Sequence, residues 1–518
     1  MSSHSAVTTI DQFLKPLALD NVVALKLSRE FYSTFKDLCI ESLNQFLPTP
    51  ISMSILRPVG RQNTGRVHGF HSTRYLILTF DFSGGSNLRV GFVELLSEGQ
   101  DRRLNRLLEQ SWPILHHLKH ENSEHLFGWV GEHIAHVVRK GCETWGLSSD
   151  EELPMGVTFS FPMKQTSLSE ATLMAMGKGF AITSDLDLGG HLIKGYEQHR
   201  TAGLPPLKIA AITNDAVATL VSFVYQFPAA PNQKAAMGLI VGTGCNATIP
   251  LQFSKLDKNK FPDLISVQQD WNLLDAGIAV NTEWSINGSA SPLRMLGLIS
   301  RWDDDLDKAC EAPGFQPLEY MTAGRYLGEL ARLIFVDFLT TVQGVPPEDL
   351  PQGLHQRFGL STTFLSHFYP DSDKGDILEQ LQKEFELSTD STFTWTSDHA
   401  DTLYHIAKAI QTRAAGIVAA ATIGLLRCAD ELPDPSEPVR VGVANGENIE
   451  ELVVGYTGGC IQHFQDYLKD TQAFLDFITQ EEFAAQGKRI RVKLEPCHDG
   501  GITGAGILVP AALASTQA

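Results

Sequence analysis

Apolar residues recur at helical spacing through residues 1–47, most regularly in DNVVALKLSREFYSTFKDLCIESLNQFL, and predict helix there. PTPISMSILRPVGRQNTGRVHGF follows, with prolines and glycines that read as a connector. Residues 75–95, YLILTFDFSGGSNLRVGFVEL, open on an apolar run, turn on a Gly pair and resume with Leu88, Val90 and Phe92. They predict two strands with Asp81 just before the turn. SEHLFGWVGEHIAHVVRKGCETW is amphipathic and helical. GVTFSFPM and LKIAAITND read as strands, the second ending at a polar pair, and AVATLVSFVYQF reads as the helix that follows. AAMGLIVGTGCNATIPLQF is strand, Gly turn, strand. LEYMTAGRYLGELARLIFVDFLTTV and DTLYHIAKAIQTRAAGIVAAATIGLLRCAD predict long helices. PVRVGVANG, ELVVGYTGG and RIRVKLEP supply late strands, and GGITGAGILVPAALA reads as a turn into a helix.

No repeat of fixed period is visible, but the strand–Gly-turn–strand units at 75–95 and 237–253 resemble each other. Each lies among alternating strands and helices, which predicts an α/β protein with two similar lobes facing a cleft. The length agrees, since 518 residues exceed one ordinary core. With 43% hydrophobic and 19% charged residues the chain is globular rather than disordered. A net charge of −19, with no basic run, excludes a broad nucleic-acid surface but not a local anion site of backbone N–H groups. Seven scattered cysteines without a C-x-x-C pair fit a reducing compartment. The N-terminal residues lack a secretory pattern, and AAGIVAAATIGLL, 13 residues, is too short to span a bilayer. The expectation is a cytoplasmic protein without membrane insertion.

Strands that turn on glycines let backbone N–H groups approach an anion, because no Cβ intervenes. There is no P-loop sequence. GTGCNA fits G-x-G-x-x-A, but TIPLQF after it reads as a strand, so the dinucleotide-binding context fails. Asp215 ends an apolar strand, where a carboxylate can serve as a base; it can equally cap the helix that follows, and both roles can coexist. His116 and His120, four apart, could ligate a metal on a helix, yet no Cys and no H-E-x-x-H accompany them, and the solvated-helix reading is preferred.

GGSNLRV, FSFPMKQTSL, GKGF, ITNDAVATLV, GLIVGTGCNA, NTEW, QPLEYMTAGRYLGELARL and a Gly-rich end occur in the order seen in the hexokinase family. The chain resembles that family over roughly residues 75–508, and within it the fungal N-acetylglucosamine kinases. The resemblance implies an actin-like ATPase (ribonuclease H-like) α/β fold with two lobes around a central cleft. Residues 70–213 and a C-terminal helix at 503–518 would form the small lobe and residues 214–502 the large one, to which the helical segment and connector at 1–69 would belong. It implies a 6-kinase that binds a small-molecule sugar, ATP and Mg²⁺, with protein partners left open. By the same resemblance Asp215 is the base for the sugar O6 and Lys178 the cation beside it. Ser160, Gly177, Asn214, Asn246, Glu283 and Glu319 join them at the sugar. Asp81, Gly84, Gly85, Ser86, Asn87 and Arg89 attend the nucleotide, with Gly242, Thr243, Gly244, Gly458, Gly459 and Gly504.

Three departures from the family pattern matter. Met176 and Gly177 replace a Trp-Thr pair, which removes a hydroxyl and makes room for a 2-acetamido group. Ser83 lengthens the first turn by one residue, so period-2 geometry turns Asp81 to the wrong face unless a bulge absorbs it. Thr457 and Thr503 stand where an Asp and a Lys or Ala are usual. The expectation is an N-acetylglucosamine kinase; the alternatives are a sugar sensor that has lost catalysis and a glucose or hexose kinase.

Overall fold

The computed structural model describes residues 9–56, 75–83, 87–96, 104–120, 122–174, 186–267, 277–370, 376–387, 391–434, 449–483, 490–514 and 516–517. One sheet has five strands in the order Leu104–Pro113, Asn87–Leu95, Tyr75–Ser83, Leu153–Phe159, Leu207–Thr213. The first three form an antiparallel meander and the last three run parallel. Counted along the chain, the order is 3-2-1-4-5. Five strands of the eight-stranded sheet repeat it: Ile278–Asn281, Cys245–Leu251, Gln233–Val241, Glu451–Thr457 and Arg491–Pro496. That sheet continues beyond Ile278–Asn281 through Leu47–Ser52, Ser266–Val267 and Thr516–Gln517. A small third sheet joins Met163–Ser167, Glu170–Leu173 and Leu186–Asp187.

The two similar units expected from the strand–turn–strand patterns are thus present, one per sheet. Two helices, Asp215–Gln226 and Gly500–Ala514, pack on each other between the sheets. Their Val217, Leu220, Val221, Ile502, Ile507 and Leu508 share one apolar cluster with Val93. The alternation in Tyr75–Ser83 decides what each face meets. Leu78, Phe80 and Phe82 enter a core with Phe127, Val130 and Ile134 of the Ser123–Trp145 helix. The opposite face carries Ile77, Thr79 and Asp81 toward the Gly500–Ala514 helix. The larger core surrounds the Ser397–Cys428 helix. That helix is long and apolar enough to cross a membrane, yet its apolar stretch is buried in the fold. Its buried Arg413 is paired through both Nη atoms with Asp303, at 2.7 and 2.7 Å.

Several boundaries differ from the pattern-based expectation. Leu47–Ser52, read as connector, is a strand between Ile278–Asn281 and Ser266–Val267. Leu104–Pro113 is an outer strand that no pattern announced. The helix expected from Leu318 to Val342 is broken at Ala323 (φ −98°, ψ 145°) into Pro317–Thr322 and Gly324–Thr341. The terminal helix begins at Gly500 rather than after a turn at 503. The strand expected in PVRVGVANG lies outside the described residues.

Candidate active site

In both sheets three parallel strands end at one edge, where open α/β sheets bind ligands. Ser83, Phe159 and Thr213 end the small-lobe strands; Val241, Thr457 and Pro496 end the large-lobe ones. Asn214, in extended conformation (φ −76°, ψ 155°), caps the next helix, and its Oδ1 accepts from the Ala216 N–H at 2.9 Å. The cap is therefore Asn214, not Asp215. Asp215 becomes the first helical residue, half-buried, with Oδ1 accepting from the same N–H at 2.9 Å. Ser160 is buried at the end of the neighbouring strand, its N–H donating to Phe82 O at 3.2 Å.

Asp81 sits in the third of these strands. The hairpin register is unbroken from Tyr75↔Leu95 to Ser83↔Asn87, so no bulge absorbs Ser83. The expectation that Asp81 then faces away from the cleft is corrected. The odd positions of this strand are the ones turned to the C-terminal helix, and a Cβ on Gly501 would stand 2.5 Å from Asp81 Oδ2. The register sets Asp81 directly opposite Arg89, and direct cross-strand partners share a face. Arg89 Nη2 donates to Asp81 Oδ2, while Nη1 donates to Asp499 Oδ1 at 2.9 Å. Arg106 reaches Asp499 Oδ2 at 2.8 Å. Arg89, expected at the phosphates, is thus engaged between two carboxylates. Burial pushes the Asp81 carboxyl up to about 6; Arg89 opposes the rise, and the nearby Asp215 charge adds to it. Asp81 Oδ1 is buried without a hydrogen-bond partner among the described residues.

The large-lobe edge is built from glycines. Gly242 N–H closes its own turn on Gly244 O at 2.9 Å. Gly324 N–H donates to Gly242 O at 2.8 Å and Arg325 N–H to Thr243 O at 3.2 Å, which explains the helix break at Ala323. Gly458 has φ 120°, and a Cβ there would lie 2.3 Å from Val241 O, so only glycine fits. A Cβ on Gly242 would meet Gly458 Cα at 3.5 Å, and Gly459 follows at the start of a short helix. Beside this cradle Cys245 N–H donates to Glu319 Oε2 at 3.2 Å. Asn246 Nδ2 donates to Asn281 Oδ1 at 2.9 Å, and Asn281 Nδ2 to Glu283 Oε1 at 2.8 Å. Glu283 holds a left-handed backbone, φ 44°. Asn246, Glu283 and Glu319 therefore converge, with the first two linked through Asn281.

The edges meet where Arg491–Pro496 runs through Asp499 into the terminal helix. Arg89 and Arg106 grip Asp499 from the small lobe, and Thr158 Oγ1 donates to Gly501 O at 2.8 Å. Asn87 is exposed at the hairpin. Gly504, expected at the nucleotide, instead faces the Asp215–Gln226 helix: a Cβ there would lie 2.2 Å from Ala218 O. Gly84, Gly85, Ser86, Gly177 and Lys178 lie outside the described residues, as does Met176. Sequence reasoning missed Asn281, Asp499 and Arg106. Asn281 opens the NTEW motif and was within reach; Arg106 carries no local signal.

Comparison with known proteins adds a family. One hexokinase family model matches residues 236–511 and a second matches residues 9–225. Hexokinase-7 of Oryza sativa subsp. japonica is 28% identical over 435 residues, which is 83% of this chain and 83% of that protein. Hexokinase-1 of Nicotiana tabacum is 27% identical over 430 residues, 82% of this chain and 77% of its own length. The solved hexokinase from Schistosoma mansoni complexed with glucose superposes with a TM-score of 0.73 at 22% identity, covering 97% of this chain and 98% of that one. The shared architecture is the actin-like ATPase fold.

Proposed function

The chain belongs to the hexokinase family, and we propose that it is a 6-kinase that transfers the terminal phosphoryl group of ATP to a hexose, N-acetylglucosamine in particular. The observation that carries the reading is the placement of Asp215. It is the half-buried first residue of the helix that follows the parallel strand Leu207–Thr213, with Asn214 as the cap, and its charge acts on the buried Asp81.

The residues present fit a nucleotide and its divalent cation. The backbone contacts of Gly242, Gly324 and Gly458 leave no Cβ over the large-lobe turn, and Asp81 offers a buried oxygen without a partner among the described residues. ATP with Mg²⁺, when bound, supplies the phosphoryl group and neutralises part of its charge. Gly242–Gly244 and Gly458–Gly459 would hold the phosphates, with Asp81 on the cation side. Asp215 Oδ1 is fixed by the Ala216 N–H, so Oδ2 is the oxygen that takes the proton of the sugar hydroxyl. Asn246, Glu283 and Glu319 would orient the remaining hydroxyls, Asn281 holding the first two in register. Closure of the lobes would exclude water and so suppress ATP hydrolysis.

The reading for N-acetylglucosamine rests on the sequence alone: Met176 and Gly177 stand where the hexokinase pattern has a Trp-Thr pair, a change that removes a hydroxyl. ADP release from the purified protein with N-acetylglucosamine, glucose and mannose tests both levels. N-acetylglucosamine should show the highest kcat/KM; a preference for glucose leaves a hexose kinase of the ordinary type. Asp215→Ala should lower kcat by about 10²–10⁴ with the sugar Kd unchanged, and an unaltered kcat refutes the base. A second reading, a sugar sensor without catalysis, is favoured by the engagement of Asp81 and Arg89 with each other. It requires calorimetric sugar binding with no ADP released from any sugar.

A further inference from the structure

We propose that Cys39 and Cys428 form a dithiol modification site, at which a peroxide or a small-molecule disulfide closes a Cys39–Cys428 bond. The two sulfurs lie 3.6 Å apart although 389 positions separate them in the chain. Cys39 is in the last turn of the Asn21–Glu41 helix and Cys428 ends the Ser397–Cys428 helix. These helices touch through backbone: a Cβ on Gly424 would lie 2.8 Å from Phe31 Cβ and 2.9 Å from Tyr32 N. A disulfide of about 2.05 Å therefore needs the sulfurs to approach by roughly 1.5 Å, within what two side-chain torsions supply.

The surroundings select the nucleophile. Lys255 Nζ donates to Cys428 O at 2.8 Å, and Lys260 Nζ donates to Cys39 O at 3.0 Å. The hydrogen bond from the Cys39 thiol, with Lys255 nearby, holds Cys428 below the ordinary thiol range against its burial and Asp430. The Cys39 thiol is pushed up by the same bond and by burial. Both residues are buried, but each stands where a helix ends, next to exposed positions such as Ile40, so fraying of one turn admits a small oxidant. With hydrogen peroxide, the Cys428 thiolate attacks one oxygen to give a sulfenic acid and hydroxide. The Cys39 sulfur then displaces the sulfenic oxygen as water. In total two thiols and one peroxide become a disulfide and two waters.

The full-length protein is exposed to hydrogen peroxide or diamide, its remaining thiols are blocked, and non-reduced peptides are mapped by mass. The expected product is one intramolecular link between the Cys39 and Cys428 peptides, two hydrogens lighter than their sum and reversed by dithiothreitol. The cross-linked protein should melt at a higher temperature than the reduced one. Recovery of Cys39 and Cys428 as free thiols while Cys142 oxidises overturns the proposal. Cys39→Ala should abolish the link; a Cys428 link to another cysteine overturns the pairing. If that variant does not fold, the map of the unaltered protein still decides.

Discussion

Replacing Asp81 by Asn removes a buried charge while keeping the shape of the side chain. Burial raises the folded-state pKa of Asp81 from 3.8 to about 6 even with Arg89 beside it. A carboxyl whose pKa is higher folded than unfolded is protonated more readily in the native state. Stability then falls as pH rises through the interval between those two values and is level above it. At about 1.4 kcal/mol per pKa unit, the decline is about 3 kcal/mol, roughly half of it between pH 5 and 7.5. Asp81→Asn has no such decline. Urea unfolding of both proteins across that range should show the variant gaining on the parent as pH rises, the difference cancelling the titrations they share. Arg89→Met should act in the opposite sense. It leaves Asp81 buried and unpaired, at a cost of about 3–5 kcal/mol near neutrality and less at pH 5, where a proton replaces the guanidinium. Parallel stability curves for Asp81→Asn and parent between pH 5 and 7.5 would refute the assignment of a buried ionised carboxylate.

Two further substitutions separate binding from packing. Asn281→Ala cuts the link between Asn246 and Glu283, and an unpaired buried group costs about 1–3 kcal/mol. The sugar KM should rise roughly tenfold with a smaller change in kcat; steady-state kinetics with an unchanged KM would remove Asn281 from the site. Gly504→Ala puts a Cβ against Ala218 O, at 2.2 Å before any relaxation, and should lower stability by about 1–3 kcal/mol. If Gly504 instead contacts nucleotide, thermal unfolding stays unchanged and the KM for ATP rises.

The doubled lobe was legible because each Gly turn sits between two apolar runs, a short-range signal that the hairpins at Ser83↔Asn87 and Val241↔Cys245 reproduce. Leu47–Ser52 was not, because Pro48 and Pro50 lack the N–H that a ladder uses. The register is irregular between Pro48 and Ser52, which is how the sheet accommodates them. Leu104–Pro113 is an outer strand, mostly half-exposed, and Leu108 at φ 49° interrupts its alternation where the register shifts. Gly324 lies inside the stretch predicted as one long helix; only the approach of Gly242 O shows why the helix restarts there. Of the site, the residues at strand ends were readable from motif and spacing. The Arg89–Asp499 pair joins residues 410 positions apart, and its members are ordinary surface types when read singly.

The same cluster bears on the choice between kinase and sensor. Asp81, Asp499 and Glu109 are gathered around Arg89 and Arg106, three carboxylates against two guanidiniums. The group carries a formal excess of one negative charge, so it does not attract a phosphate unaided; it suits a phosphate that arrives with a divalent cation. Asn at position 81 would fill the same space without the pH-dependent loss worked out above. If that loss is measured, folding alone does not account for a carboxylate at this position. Its position near Asp215, with one oxygen lacking a partner among the described residues, supports the proposed kinase, in which Asp81 would face the cation of the nucleotide and Asp215 would serve as the base.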